Sequence, residues 1–137
     1  MPDRKTDVFI SYANEDARLA QLLAGVFRRS GVEAWLAESA LTPGSDWQQE
    51  LVKHLESANV YVLLVTPSYL QSRWGNFEMG VALARAASGD VTLLPVTFGI
   101  SQKDLPWALR SVQAFSLDKN DPADVPKALE TALRKSA

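Results

Sequence analysis

Four stretches of the chain are apolar at most positions: "DVFIS" (7–11), "VEAWL" (32–36), "VYVLLV" (60–65) and "VTLLPV" (91–96). A strand with one wet face alternates apolar and polar residues. Continuous Val, Ile and Leu runs instead mark parallel strands covered on both faces. A weaker fifth run is "VQAFS" (112–116).

The segments between these runs carry a helical period. Leu19, Leu22, Leu23, Val26 and Phe27 fall at i, i+3, i+4, i+7 and i+8, the stripe of an amphipathic helix. Arg28 and Arg29 fit its last turn and Gly31 its stop. A second helix is expected from Ser45, which forms a capping-box pattern with Gln48; Trp47, Leu51 and Leu55 supply its inward stripe. A third is expected from about Trp74 to Ala87, stopped by Ser88-Gly89. The last opens at "NDPAD", where Asn120 or Asp121 can cap, Pro122 suits the first turn and Asp124 the positive helix end. Leu129, Ala132 and Leu133 form its buried face.

Strand–helix alternation of this kind defines the α/β class. With five parallel strands, the expected arrangement is a flavodoxin-like, doubly wound sheet of order 2-1-3-4-5 flanked by helices. Ligands of such sheets bind beyond the strands' carboxyl ends, at the switch point between strands 1 and 3. That places a site at the loops "SYANED" (11–16) and "TPSYLQSRWGN" (66–76), with "AESALTPGS" (37–45) able to fold over it.

Composition narrows the chemistry. The chain has 137 residues, the length of one domain, taken as 1–137 with a core of about 7–134. Fourteen basic against sixteen acidic residues, mixed along the chain, give a net charge of −2 and no electrostatic footprint for nucleic acid. There is no cysteine, hence no disulfide, thiolate nucleophile or Cys-based zinc site. The polar start "MPDRKTD" lacks a signal peptide's apolar core, and no run approaches the roughly 20 residues of a membrane helix. A cytoplasmic protein is expected.

Familiar phosphate and metal motifs are missing too. No GxxxxGK[ST] or GxGxxG occurs. A phospho-accepting receiver domain shares the strand order, but its nucleophilic Asp after strand 3 and its acidic pair after strand 1 read Thr66 and Ser11-Tyr12 here. The single histidine, His54, has no second His or Cys to join it in a metal site. No metal is expected. What remains is "SRWGNFEMG" (72–80), where Trp74 and Glu78 stand four apart and share a face if Trp74 opens a helix. Spacing alone leaves Glu78 open between an ordinary glutamate at a positive helix end and an acid held in a pocket, and favours the first.

Four segments together resemble one family. "DVFISYANED" (7–16), "GVEAWLAESALTPGSDW" (31–47), "SYLQSRWGNFEMG" (68–80) and "LLPV" (93–96, with Pro95) are similar, in order and spacing, to the boxes of TIR (Toll/interleukin-1 receptor/resistance protein) domains, and look closest to bacterial members. The resemblance covers about Asp7 to Arg134. It implies one of two functions. Many bacterial and plant TIR domains cleave NAD+ at the nicotinamide–ribose bond, some of them cyclising the remainder; animal receptor and adaptor members are mostly interaction modules.

Carried across, Glu78 becomes the catalytic carboxylate and Trp74 a wall of the nicotinamide–ribose pocket. Ser11 and Tyr12 line its floor. Trp35, Leu41 and Gly44 belong to the end of strand 2 and the loop after it, while Ser72 and Phe77 flank the turn bearing Glu78. NAD+ is then the substrate and no cofactor is needed. The resemblance also implies self-association with other TIR domains, as a dimer or filament, and a fused sensor domain elsewhere in the protein. It points to no nucleic-acid or membrane partner. One departure concerns the aromatic that related bacterial enzymes carry directly after the proline box: here Val96 and Thr97 precede Phe98.

Overall fold

The computed structural model describes residues 6–36, 58–71, 88–89, 91–105, 109 and 114–136. Five strands, β1 (Asp7–Ser11), β2 (Glu33–Leu36), β3 (Val60–Val65), β4 (Thr92–Thr97) and β5 (Phe115–Ser116), form one sheet in the order β2-β1-β3-β4-β5. Every neighbouring pair is parallel. The expected class, strand order and flanking helices are those observed.

Central β3 is buried at all six positions, and β1 and β4 are buried everywhere but their first residue. Outermost β2 differs. Ala34 and Leu36 are buried while Glu33 and Trp35 are exposed, so this run is covered on one face only. The edge position explains it, because the strand lies where the covering layer ends.

Helix α1 (Ala17–Arg29) packs on β2, and a C-terminal helix, α3 (Val125–Ser136), packs on β4; the two helices touch each other and so cover the same face. That face carries Ala34 and Leu36, and through the register Val8, Ile10, Val60, Val62 and Leu94. The opposite face carries Phe9 and Tyr61, whose rings sit 6.1 Å apart at 60°, close to the tilted geometry aromatic pairs favour.

The inward stripe of α1 runs through Ala20, Leu23, Ala24 and Phe27, all fully buried. Leu22, expected in that stripe, is 47% exposed. The spacing allowed either, and the two alanines decide, since small residues let the helix axis approach the sheet and turn Leu22 to the flank. The helix ends as its sequence predicts. Gly31 adopts φ +82°, its amide donates to the Arg28 carbonyl at 3.0 Å, and the Val32 amide reaches back to the Phe27 carbonyl at 3.0 Å. This is the Schellman closure that favours glycine. Asp121 caps the other helical unit by accepting from the Ala123 amide at 2.9 Å, ahead of a 3₁₀ turn (Pro122–Asp124) and α3.

Three smaller differences from the sequence reading concern element bounds. Strand β4 is displaced by one residue from the expected 91–96. The described part of β5 is two residues, against an expected 112–116. A short helix, α2 (Pro67–Gln71), occupies what reads in sequence as loop. The expected helices from Ser45 and from Trp74 lie outside the described residues. Ser88 and Gly89 do form a turn, with Gly89 at φ +81°.

Backbone hydrogen bonds explain two residues that look out of place. The Thr92 and Phe98 amides donate to the Asn59 and Val65 carbonyls of the β3 side. With a period of two, the nitrogen of Pro95 therefore faces away from β3, toward a flank where described pairing begins only at Val96 and Phe115. A proline fits there without losing a ladder bond to β3. On the other side the Asn59 amide donates to the Asp7 carbonyl, so Asp7 serves β3 and Val8 serves β2. Ala34, opposite Val8, then turns its carbonyl away from β1, where Arg28 Nη2 donates to it at 2.9 Å.

Candidate functional site

Beyond the carboxyl ends of β1 and β3 the chain brings together four polar side chains from two stretches, 11–16 and 66–69. Ser11 ends β1, Asp16 closes a 3₁₀ turn (Asn14–Asp16), Thr66 follows β3, and Tyr69 lies on α2. Ser11 Oγ and Tyr69 Oη share a hydrogen bond of 2.7 Å, with Ser11 1% exposed and Tyr69 equally buried. Thr66 Oγ1 donates to Asp16 Oδ2 at 2.5 Å, the length of a hydroxyl bonded to a carboxylate. The same oxygen accepts from the Tyr69 amide at 3.1 Å. The Asp16 amide donates to the Ala13 carbonyl at 2.8 Å, which anchors the 3₁₀ turn on the end of β1.

Local sequence explains α2. Thr66 occupies the N-cap position, its hydroxyl meeting the amide three residues on, and Pro67 takes the first helical position, where no amide is needed. The "TP" pair was a legible start signal that the sequence reading assigned to a loop. Tyr69, Thr66 and Asp16 were likewise not singled out as site residues.

Of the expected site residues, the structure places Ser11 and Tyr12 at the switch point, both buried. Trp35 is 39% exposed on edge strand β2, opposite Phe9, and lines an open groove of about 600 Å³ with Arg28, Gly31 and Val32. Leu41, Gly44, Ser72, Trp74, Phe77 and Glu78 lie outside the described residues, as does His54. Among the described residues no group of three or more His, Cys, Asp or Glu could hold a metal ion. Nor is any described helix long and apolar enough to cross a membrane.

A second cavity, of about 450 Å³, lies away from the switch point at the ends of β4 and β5, lined by residues that include Thr97, Asp104, Ser116, Asp118 and Lys119. Its two carboxylates are engaged in loop structure. Asp118 accepts from the Gly99 amide at 3.0 Å, and Asp104 accepts from the Ser101 amide and hydroxyl, each at 3.0 Å. The Ser101 bonds, backbone first, hold the Asp104 carboxyl below its usual range. A depressed folded pKa means the contribution is present at neutral pH and is lost as pH falls through that folded value. An NMR titration should find Asp104 below an ordinary aspartate, and Ser101→Ala should return it part of the way. An Asp104 that titrates normally would contradict the bonding described.

Fold and switch point define a doubly wound α/β domain whose polar groups converge where strands 1 and 3 diverge. The family model described as TIR domain matches residues 8–133, and the chain belongs to that family. Among curated relatives, the 2′ cyclic ADP-D-ribose synthase BtTIR of Bacteroides thetaiotaomicron is 29% identical over 105 residues, covering 76% of this chain and 37% of its own. The human Toll/interleukin-1 receptor domain-containing adapter protein is 32% identical over 106 residues, covering 76% and 48%. An NAD(+) hydrolase, TcpA, from a Theionarchaea archaeon is 25% identical over 111 residues, covering 80% and 32%. The chain thus spans 32% to 48% of the length of these relatives. Among solved structures, a metazoan TIR-STING receptor from C. gigas superposes with a TM-score of 0.74 at 27% identity, over 89% of this chain and 38% of that one. The TIR domain of a Toll-related receptor from Hydra magnipapillata gives 0.72 at 17% identity over 94% and 96%, a likeness of fold.

Proposed function

We propose that this chain is an NAD+ glycohydrolase that cleaves the nicotinamide–ribose bond, with Glu78 as its reacting carboxylate, working in the cytoplasm and activated by association of TIR domains. The observation that carries this reading is similarity, over three-quarters or more of the chain, to relatives named for cyclic ADP-ribose synthesis and NAD+ hydrolysis. The segment "SRWGNFEMG" supplies the carboxylate and aromatic that the resemblance assigns to the reaction.

The chemistry suits a site with one carboxylate. Most glycosidases need a second carboxyl to protonate a departing oxygen. Nicotinamide in NAD+ is already a pyridinium, so when the C1′–N bond breaks, both electrons go to nitrogen and a neutral base leaves. Positive charge develops on the ribose, and Glu78, bonded to ribose hydroxyls, stabilises it in a site shielded from water. Attack by water at C1′ gives ADP-ribose and a proton; attack by a hydroxyl of the same molecule gives a cyclic isomer and a proton, and attack by the lone pair of an unprotonated ring nitrogen gives a cyclic isomer that keeps the positive charge on the ring. The test is incubation of concentrated protein with NAD+ and mass identification of every product. Release of nicotinamide is expected, and intact NAD+ after prolonged incubation of assembled protein would end the reading.

The similarity to a human adapter supports a second reading, a non-catalytic module that binds other TIR domains through the loop holding Pro43 and Gly44. It predicts no loss of NAD+ together with concentration-dependent association that substitution at Pro43 or Gly44 disrupts.

A further inference from the structure

We propose that Asp16 and Thr66 are positioning residues for this reaction: the hydrogen bond between them holds the first turn of α2 on the end of β3, and so sets the point from which the chain enters the segment bearing Trp74 and Glu78. The proposal rests on the reading of Glu78 as the reacting carboxylate.

Helix α2 has only five residues. A helix so short does not persist by its own hydrogen bonds and takes its place from what it is tied to. Thr66 uses one hydroxyl in two directions, giving its proton to Asp16 and accepting the Tyr69 amide. Asp16 is in turn held in the turn that follows β1, its amide on the Ala13 carbonyl. The Leu70 amide closes the turn on the Thr66 carbonyl at 3.1 Å, and the buried Ser11–Tyr69 bond forms a second tie to β1. The first turn is thereby referenced to two neighbouring strands.

Gln71 ends α2, and Trp74 and Glu78 follow it by three and seven residues. Ser11 and Tyr12, at the end of β1, share their frame with Asp16. The bond from Asp16 to Thr66 therefore ties the helix from which the chain leaves toward Trp74 and Glu78 to the loop that follows β1. A misplacement of about 1 Å at a reacting group can lower a rate by roughly a hundredfold. The carboxylate is half-buried, the hydroxyl is 2% exposed, and they meet across 50 residues of sequence, so the bond is sheltered from water and joins distant parts of the chain.

The experiment compares Asp16→Ala, Thr66→Val, Thr66→Ser and the Asp16→Ala/Thr66→Val double variant, at equal folded concentration. Asp16→Ala and Thr66→Val should lower kcat by about tenfold to a hundredfold with KM changed by less than about threefold. Thr66→Ser, which keeps the hydroxyl, should stay within about threefold of the parent. The double variant should be no slower than the worse single one by more than about twofold, because both remove the same bond. A merely structural role would lower the melting temperature and leave kcat per folded molecule and the serine rescue unchanged. That result overturns the proposal.

Amide hydrogen exchange without substrate is the independent arm. In Asp16→Ala the Tyr69 and Leu70 amides should exchange faster by about tenfold or more, with those of α1 and β4 unaltered. Unaltered Tyr69 and Leu70 exchange overturns the proposal whatever the enzyme does. If the parent protein releases no nicotinamide while these amides respond, the proposed function falls and the tie to α2 stands. Asp16→Asn, of the same shape, replaces Asp16→Ala should the latter not fold, with a smaller change in the same directions expected.

Discussion

Glu78→Gln should reduce nicotinamide release from NAD+ by about a thousandfold or more, with an unchanged unfolding midpoint. The side chain keeps its length and its capacity to hydrogen-bond; what disappears is the negative charge that the proposed mechanism sets against the developing ribose cation. Removing one preorganised electrostatic group from a water-excluded site costs about a hundredfold to a thousandfold, and a full charge opposite a forming cation belongs at or beyond the upper end. A thousandfold corresponds to about 4 kcal/mol of transition-state stabilisation. The measurement is single-turnover release followed by mass spectrometry, paired with a thermal scan. Turnover within tenfold of the parent would remove Glu78 from the chemistry and leave the interaction module as the better reading. A lowered midpoint with lost activity would instead mark Glu78 as part of the fold.

The second large effect is on stability. Phe27→Ala should cost about 3–5 kcal/mol, which for a domain whose whole stability is about 5–15 kcal/mol takes it close to unfolding. Phe27 is fully buried on the inward face of α1, among the largest side chains of the core. Its backbone carbonyl also receives the Val32 amide that closes the helix, a bond the substitution leaves in place. The loss is therefore one of packing. Leu22→Ala, on the exposed flank of the same helix, should change stability by about 0.5 kcal/mol or less. Denaturant melts of the two variants check the difference, and equal losses would mean the helix is rotated from the orientation described.

The contrast between Phe27 and Leu22 shows where sequence reading reaches and where it stops. The continuous runs at β1, β3 and β4 identified a parallel sheet because burial on both faces leaves few polar positions in a strand, and the order was expected as the leading arrangement of a five-stranded doubly wound sheet. Strand β2 shows the limit. Its run "VEAWL" reads like the others, yet only its position at the edge determines that Trp35 is exposed. Capping signals were legible at the C-terminal end of α1 and at Asp121, since they depend on neighbours a few residues away. The "TP" at Thr66-Pro67 carried the same kind of signal and was outweighed by the polar loop around it.

Ser11 and Tyr12 could be placed at the switch point from topology alone. Their partners could not. Ser11 meets Tyr69 across 58 residues and Asp16 meets Thr66 across 50. Such pairs leave no periodicity and no local motif, and they come into view only when β1 and β3 lie side by side. The roles assigned to Trp74 and Glu78 rest on the resemblance, with the residues themselves outside the described part of the chain.

The guanidinium of Arg28 on the Ala34 carbonyl bears on how copies of this domain can meet. Outermost strands with free carbonyls invite another chain to add itself to the sheet, and that route leads to fibrous aggregates. Here one acceptor that an incoming strand would need is already taken by a charged side chain from the preceding helix. Lateral growth of the sheet at this border would first have to displace it. Concentrating the protein, as the proposed activation by association requires, then favours encounters between side-chain surfaces over fusion of backbones, and Arg28→Ala should be the variant that turns turbid.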